Sequence, residues 1–199
     1  MDLAASRIHF LVSSANKCIE GVPGFSFALC EARALAACKG RARSLSLDLH
    51  AQWAGLAGNG QFRFTPPTHA LLAFRAALGE HAREGGAAGR LARYAANHAA
   101  LVRGMRALGF ESYVQGPAAG CIITTFLVPK HPAFSFAATY EGLAARGFVI
   151  YPGKTTAADS FRIGSIGQLY EADMEGVVAA LREVLLAQGV PLPVTQAGE

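Results

Sequence analysis

Two rhythms alternate along this chain: short unbroken apolar runs, and longer stretches in which apolar residues return every three or four positions. The runs 8–12 and 25–30 have the length and flanks of buried strands, and Gly21-Val22-Pro23-Gly24 between them is turn chemistry. The first thirty residues thus read as strand, tight loop, strand, with Lys17 in the loop. Both runs look like interior strands of a larger sheet, since two strands alone make no stable one. Residues 31–38 read as a short helix, 44–49 as an extended stretch leading into a helix near Trp53, and 55–60 as loop. Two prolines hold 63–69 extended, because the residue before each is pushed out of the helical region. Helices are predicted over 68–84 and 87–108. The second carries Leu91, Tyr94, His98, Leu101, Val102 and Met105 at helical spacing and stops at Gly109. Further on, strands at 110–114, 121–128, 148–150 and 161–165 alternate with helices at 136–146 and 171–187. Acidic residues open the last helix, as suits its N-terminus. The tail 191–199 reads as loose.

Composition sharpens this picture in one respect. Hydrophobic residues are 52% of the 199 and charged residues 16%, with mean hydropathy +0.27. Such a chain folds around a large core, and it is apolar enough that a partner subunit or further chain is expected to cover part of its surface. The net charge of +4 suits small anionic ligands. Its arginines are scattered rather than gathered into a basic stripe with aromatics, so no nucleic-acid partner is expected. Cys18, Cys30, Cys38 and Cys121 form no C-x-x-C pair and no zinc-like cluster with histidine, so they read as reduced thiols and no metal is expected. With no secretory leader pattern and no apolar stretch of bilayer length, the expected location is the cytoplasm, away from membranes.

Candidate chemistry concentrates at one lysine. Lys17 follows the first apolar run and is flanked by Ser13, Ser14, Ala15 and Asn16. An amine shielded at the end of a buried strand is pushed below its ordinary value of about 10.4 and becomes a nucleophile toward aldehydes. The plain alternative is a loop lysine whose head reaches solvent. Competing catalytic patterns are lacking: there is no G-x-S-x-G elbow and no phosphate-loop G-x-x-x-x-G-K-[ST], and His9, His69 and His98 lie in a strand, a turn and a helix.

The run Ser13-Ser14-Ala15-Asn16-Lys17-Cys18-Ile19-Glu20-Gly21-Val22-Pro23-Gly24-Phe25 resembles the lysine loop of the 2-aminoethylphosphonate–pyruvate transaminase family, within the class V, fold-type-I pyridoxal-phosphate enzymes. Four further segments resemble the same family in the same order: 38–49, 63–69, 147–154, and Phe161-Arg162-Ile163-Gly164-Ser165-Ile166-Gly167. The resemblance implies that Lys17 holds pyridoxal 5'-phosphate covalently and shuttles a proton. It implies that Arg162, in the R-I-G-x-x-G pattern, binds the acidic group of the substrate. It also implies that Thr65 reaches the cofactor phosphate of the other subunit of a homodimer. The substrates implied are 2-aminoethylphosphonate and pyruvate. Another class V aminotransferase of the alanine/serine–glyoxylate type, and a non-catalytic truncated remnant, are the alternatives.

The resemblance also sets the expected fold class: α/β, the C-terminal portion of a fold-type-I pyridoxal-phosphate transferase. Residues 1–85 are expected to be the end of the cofactor-binding large domain. Residues 86–199 are expected to be the linking helix and a small C-terminal domain. In such enzymes the phosphate cradle, the aromatic residue over the cofactor ring and the aspartate at its nitrogen precede the lysine, and residues 1–16 hold no equivalent of them.

Overall fold

The computed structural model describes residues 2–153 and 158–195. The chain divides into two compact units, Met1–Ala82 and Arg83–Glu199.

In the first unit, strands β1 (Phe10–Ser14) and β2 (Ser26–Cys30) form an antiparallel hairpin, with Phe10 opposite Cys30 and Ser14 opposite Ser26. Helices α1 (Ala32–Ala36), α2 (Leu49–Asn59) and α3 (Thr68–Arg83) follow. The strands begin and end within two residues of the positions predicted, but they are not the buried interior strands expected. One face rests on α3, where Phe74 meets Phe25 at 5.3 Å and Phe27 at 5.6 Å. Phe10 and Val12 stay exposed, because no third strand or second layer covers them among the described residues.

Helix α2 overturns the expected loop at 55–60. Asp48 caps its start by accepting from the Ala51 N–H at 2.9 Å, and Gly60, at φ 74°, ends it. Gly55 and Gly58 each cost roughly 1 kcal/mol in a helix interior, which good caps at both ends can outweigh.

The second unit is built around strands β3 (Ile123–Leu127), β4 (Tyr151–Pro152) and β5 (Ser160–Gly164), an antiparallel sheet in the order β3-β5-β4. Helices α4 (Gly86–Ala107), α5 (Phe136–Ala144) and α6 (Glu171–Ala187) pack with it. The periodicity predicted all three helices; α6 matches its expected bounds, α4 begins one residue early and ends one early, and α5 ends two residues early. The core gathers Leu101 and Met105 of α4, Phe126, Phe161 and Ile163 of the sheet, and Leu181 and Leu185 of α6. Phe161 lies within about 6 Å, ring to ring, of Phe110, Phe126 and Phe136. Burying each such ring contributes about 1.5–3 kcal/mol. Helix α6 lies close to its neighbours because small residues allow it: a Cβ on Gly104 or on Gly142 would stand 2.9 Å from Val178 or Val184.

Two predicted strands do not form. Over 110–114 only Ser112 bridges to Phe126, with Tyr113 donating to the Thr125 carbonyl, before the chain turns away. At 148–150 the Phe148 N–H returns to the Leu143 carbonyl at 2.9 Å, closing the end of α5 through Gly147 at φ 85°, and pairing starts only at Tyr151. Of the tail expected to be loose, 196–199 lie outside the described residues, and the described part, 191–195, differs from expectation. Val194 is buried and its N–H donates to the Leu108 carbonyl at 2.8 Å, over a Gly109 whose φ is 92°.

Candidate functional site

Lys17 stands on a turn shaped by its backbone. The Ala15 N–H donates to Phe25 O, the Gly21 N–H to Ala15 O at 2.9 Å, and the Glu20 N–H to Lys17 O at 2.8 Å, with Glu20 itself at φ 64°. Ala15 is fully buried beneath this loop. Glycine is required at 21, where a Cβ would sit 2.7 Å from Ala15 O and 2.9 Å from the Phe74 ring, and at 24, where it would meet Ala70 at 2.6 Å. The loop is therefore seated on α3. The expected shielding of the amine is not found: Lys17 is exposed, as is Cys18 beside it. The physical reason is the bare hairpin, since a lysine leaving a strand is shielded only if something covers that end of the sheet.

Thr65 lies in the segment 60–66, which lines an open concavity of about 940 Å³. Arg63 braces this segment from behind. Its N–H donates to Gln52 Oε1 at 3.2 Å, its Nη1 to Leu45 O at 3.1 Å, and its guanidinium lies 5.3 Å from the Phe64 ring. Thr65 is exposed and its hydroxyl caps no helix among the described residues.

Arg162 is on β5 in the second unit, half-buried, opposite Thr125 on one side and Tyr151 on the other. Since neighbouring residues of a strand alternate faces, Phe161 and Ile163 enter the core and Arg162 takes the other face. Its Nε donates to Pro152 O at 3.0 Å, and its guanidinium carbon lies 5.7 Å from the Tyr151 ring. Tyr151 and Pro152 belong to the segment 147–154, with nothing in its spacing to show this contact. Lys154, at the end of the same motif, lies outside the described residues.

A second feature had no sequence signal. The Glu84 carboxylate, in the turn between α3 and α4, binds Arg90 Nε at 2.6 Å and Arg93 Nε at 2.8 Å. Arg90 is buried. From the same helix Arg93 Nη1 reaches Gly167 O at 2.5 Å, and Asn97 Nδ2 reaches Leu169 O at 2.7 Å. The Gly167 N–H donates to the Tyr94 hydroxyl at 3.4 Å. Hydrogen bonds from Arg93, against the opposing pull of burial and with further help from Arg90, lower Glu84 from 4.5 to about 2. This network ties α4 to the loop that follows the Arg162 strand, including the second glycine of the R-I-G-x-x-G pattern. Among the described residues no cluster of His, Cys, Asp and Glu could hold a metal ion, no disulfide joins the four cysteines, and no helix is long and apolar enough to cross a membrane.

No family model matches the chain. It is 52% identical over 186 residues, 93% of its length, to the 2-aminoethylphosphonate–pyruvate transaminase of Salmonella paratyphi B, and it spans about half, 51%, of that relative. Among solved structures it resembles pyridoxamine–pyruvate aminotransferase from Mesorhizobium loti, with a TM-score of 0.83 at 23% identity, covering 96% of this chain and 50% of the other. It likewise resembles ureidoglycine–glyoxylate aminotransferase from Bacillus subtilis, with a TM-score of 0.82 at 21% identity, again covering 96% and 50%. The fold is thus the expected one, a portion of the α/β fold of pyridoxal-phosphate-dependent aminotransferases.

Proposed function

We propose that this chain, related along 93% of its length to 2-aminoethylphosphonate–pyruvate transaminases, is the lysine-bearing C-terminal portion of such an enzyme. The reading is carried by that 52% identity; the structural likenesses to ureidoglycine–glyoxylate and pyridoxamine–pyruvate aminotransferases, at 21–23% identity, speak for the fold alone. In the reaction the amino group of 2-aminoethylphosphonate passes to pyruvate, leaving phosphonoacetaldehyde and giving alanine.

Pyridoxal phosphate, when bound, supplies an aldehyde for an amine and a ring that withdraws electrons from the carbon bearing it. The described residues fit such a group at its aldehyde end, where the exposed Lys17 amine sits on a loop fixed by its own backbone. In this reading Lys17 holds the cofactor and then moves a proton at the substrate carbon that bears nitrogen. Arg162 receives the phosphonate or carboxylate on its planar fork, a better match to either than a lysine. The Thr65 hydroxyl, in its open concavity, donates to the cofactor phosphate held by a second subunit of a homodimer. The exposed Phe62 and Phe64 beside it support a covered, assembled state. A cytoplasmic location belongs to the same proposal, supported by four cysteines without a disulfide.

The test is a titration of the full chain with pyridoxal phosphate, followed by borohydride reduction and mass mapping. Saturable labelling on Lys17 is the expected result. Label spread over Lys39 and Lys130 as well, or none, would leave a non-catalytic remnant as the better description of this chain.

A further inference from the structure

Strand β4 is two residues long, both exposed, and pairs with β5 alone among the described residues. Burial cannot be its main contribution. What it touches is Arg162, and in two independent ways: the Tyr151 ring faces the guanidinium carbon at 5.7 Å, and the Pro152 carbonyl accepts the Nε–H at 3.0 Å. We propose that β4 is a clamp and that Tyr151 is a positioning residue for Arg162. The ring restrains the plane of the guanidinium and the carbonyl restrains its edge. Gly153 keeps that carbonyl in place. Its N–H donates to Ser160 O at 2.8 Å, and a Cβ there would lie 2.2 Å from the same oxygen, so the two strands close tightly only with glycine at this point.

The consequence is chemical. With Nε committed, Nη1 and Nη2 make no hydrogen bond among the described residues. The end of the guanidinium, two N–H groups side by side, has the form that matches two oxygens of one anion. A free arginine would have to lose its rotamer freedom on binding; a clamped one has lost it in advance. The use of this geometry rests on the reading of Arg162 as the anion-binding residue, whereas the clamp itself can be tested without it.

The experiment is NMR on the full chain, following exchange of the Arg162 Nε–H with water, with the signal assigned by its loss in Arg162→Lys. Tyr151→Phe keeps the ring and should exchange like the unsubstituted chain. Tyr151→Leu and Tyr151→Ala remove the π face and should exchange about two- to fivefold faster, with the Phe161 and Ile163 amides unmoved. Leu retains most of the bulk, so it decides the matter if the Ala variant folds poorly. Unchanged exchange in the Leu variant, or a Phe variant as fast as Leu, overturns the clamp. So does disturbance of Phe161 and Ile163 in the Leu variant, which would reduce Tyr151 to packing. Adding 2-aminoethylphosphonate to the chain with pyridoxal phosphate then examines the other premise. If the Arg162 signal fails to shift, the anion role falls while the exchange data still judge the clamp.

Discussion

Lys17 and Arg162 are positioned by different means. Backbone hydrogen bonds and a glycine without room for a side chain set the place of Lys17, while its own side chain extends into solvent. Arg162 is positioned through its side chain, by Pro152 and Tyr151. Substitutions should therefore act differently. In a catalytically competent assembly Lys17→Ala should abolish turnover, because no neighbouring amine replaces it in the loop. Arg162→Ala should remove two charge-assisted hydrogen bonds, about 3 kcal/mol together. That is on the order of a hundredfold rise in KM for both acidic substrates, with kcat changed less. Steady-state kinetics against each substrate would separate these, and an unchanged KM for 2-aminoethylphosphonate in Arg162→Ala would remove Arg162 from the site.

At the scale of elements, the joint between α3 and α4 matters most. A helix ends at Arg83 and another begins at Gly86, and the single carboxylate between them faces two arginines of the second. Because Glu84 is lowered to about 2 by Arg93 and Arg90, the linkage has a definite sign. Its contribution is complete above about pH 4.5 and is lost as pH falls toward 2. Glu84→Gln should destabilise the chain by about 3 kcal/mol at neutral pH, since the buried Arg90 loses an opposite charge. Thermal melts should show the two proteins converging as pH is lowered from 5 to 2. A gap independent of pH would mean that the carboxylate charge contributes nothing.

For the whole molecule, apolar burial is uneven. The large core cluster runs from Ala100 to Val194, entirely within the second unit. Buried hydrophobic residues of the first unit among those described are Ala15, Leu35, Ala70 and Ala77, while Leu45, Leu47, Trp53 and Phe64 are exposed. Local stability follows buried contact. Hydrogen exchange read by mass spectrometry should therefore show α4 and α6 protected longest, and β1, β2 and α2 exchanging orders of magnitude sooner. Equal protection in both units would show that the first unit is stabilised by contacts other than those in this chain's described residues.

Periodicity and punctuation made most elements legible. Helices α4 and α6 are long and amphipathic, and the Gly21–Gly24 turn has one evident use. Gly55 and Gly58 suggest an earlier end for α2 than the real one, because glycine weakens a helix locally while the caps that sustain it lie at Asp48 and Gly60. Apolar runs at 110–114 and 148–150 suggest strands that do not form, since such a run does not say whether a pairing partner stands beside it. Among the candidate site residues, the sequence by itself determined which side chains could do chemistry: an amine on a tight loop, an arginine ahead of two glycines, a threonine before two prolines. Only the tertiary structure decided their surroundings. It left Lys17 exposed, set Tyr151 and Pro152 against Arg162, and joined Glu84 to Arg90, Arg93 and, through Arg93, to Gly167. Residue type fixes the functional group locally, whereas burial, ring stacking and ion pairing depend on residues distant in sequence that only folding brings within reach.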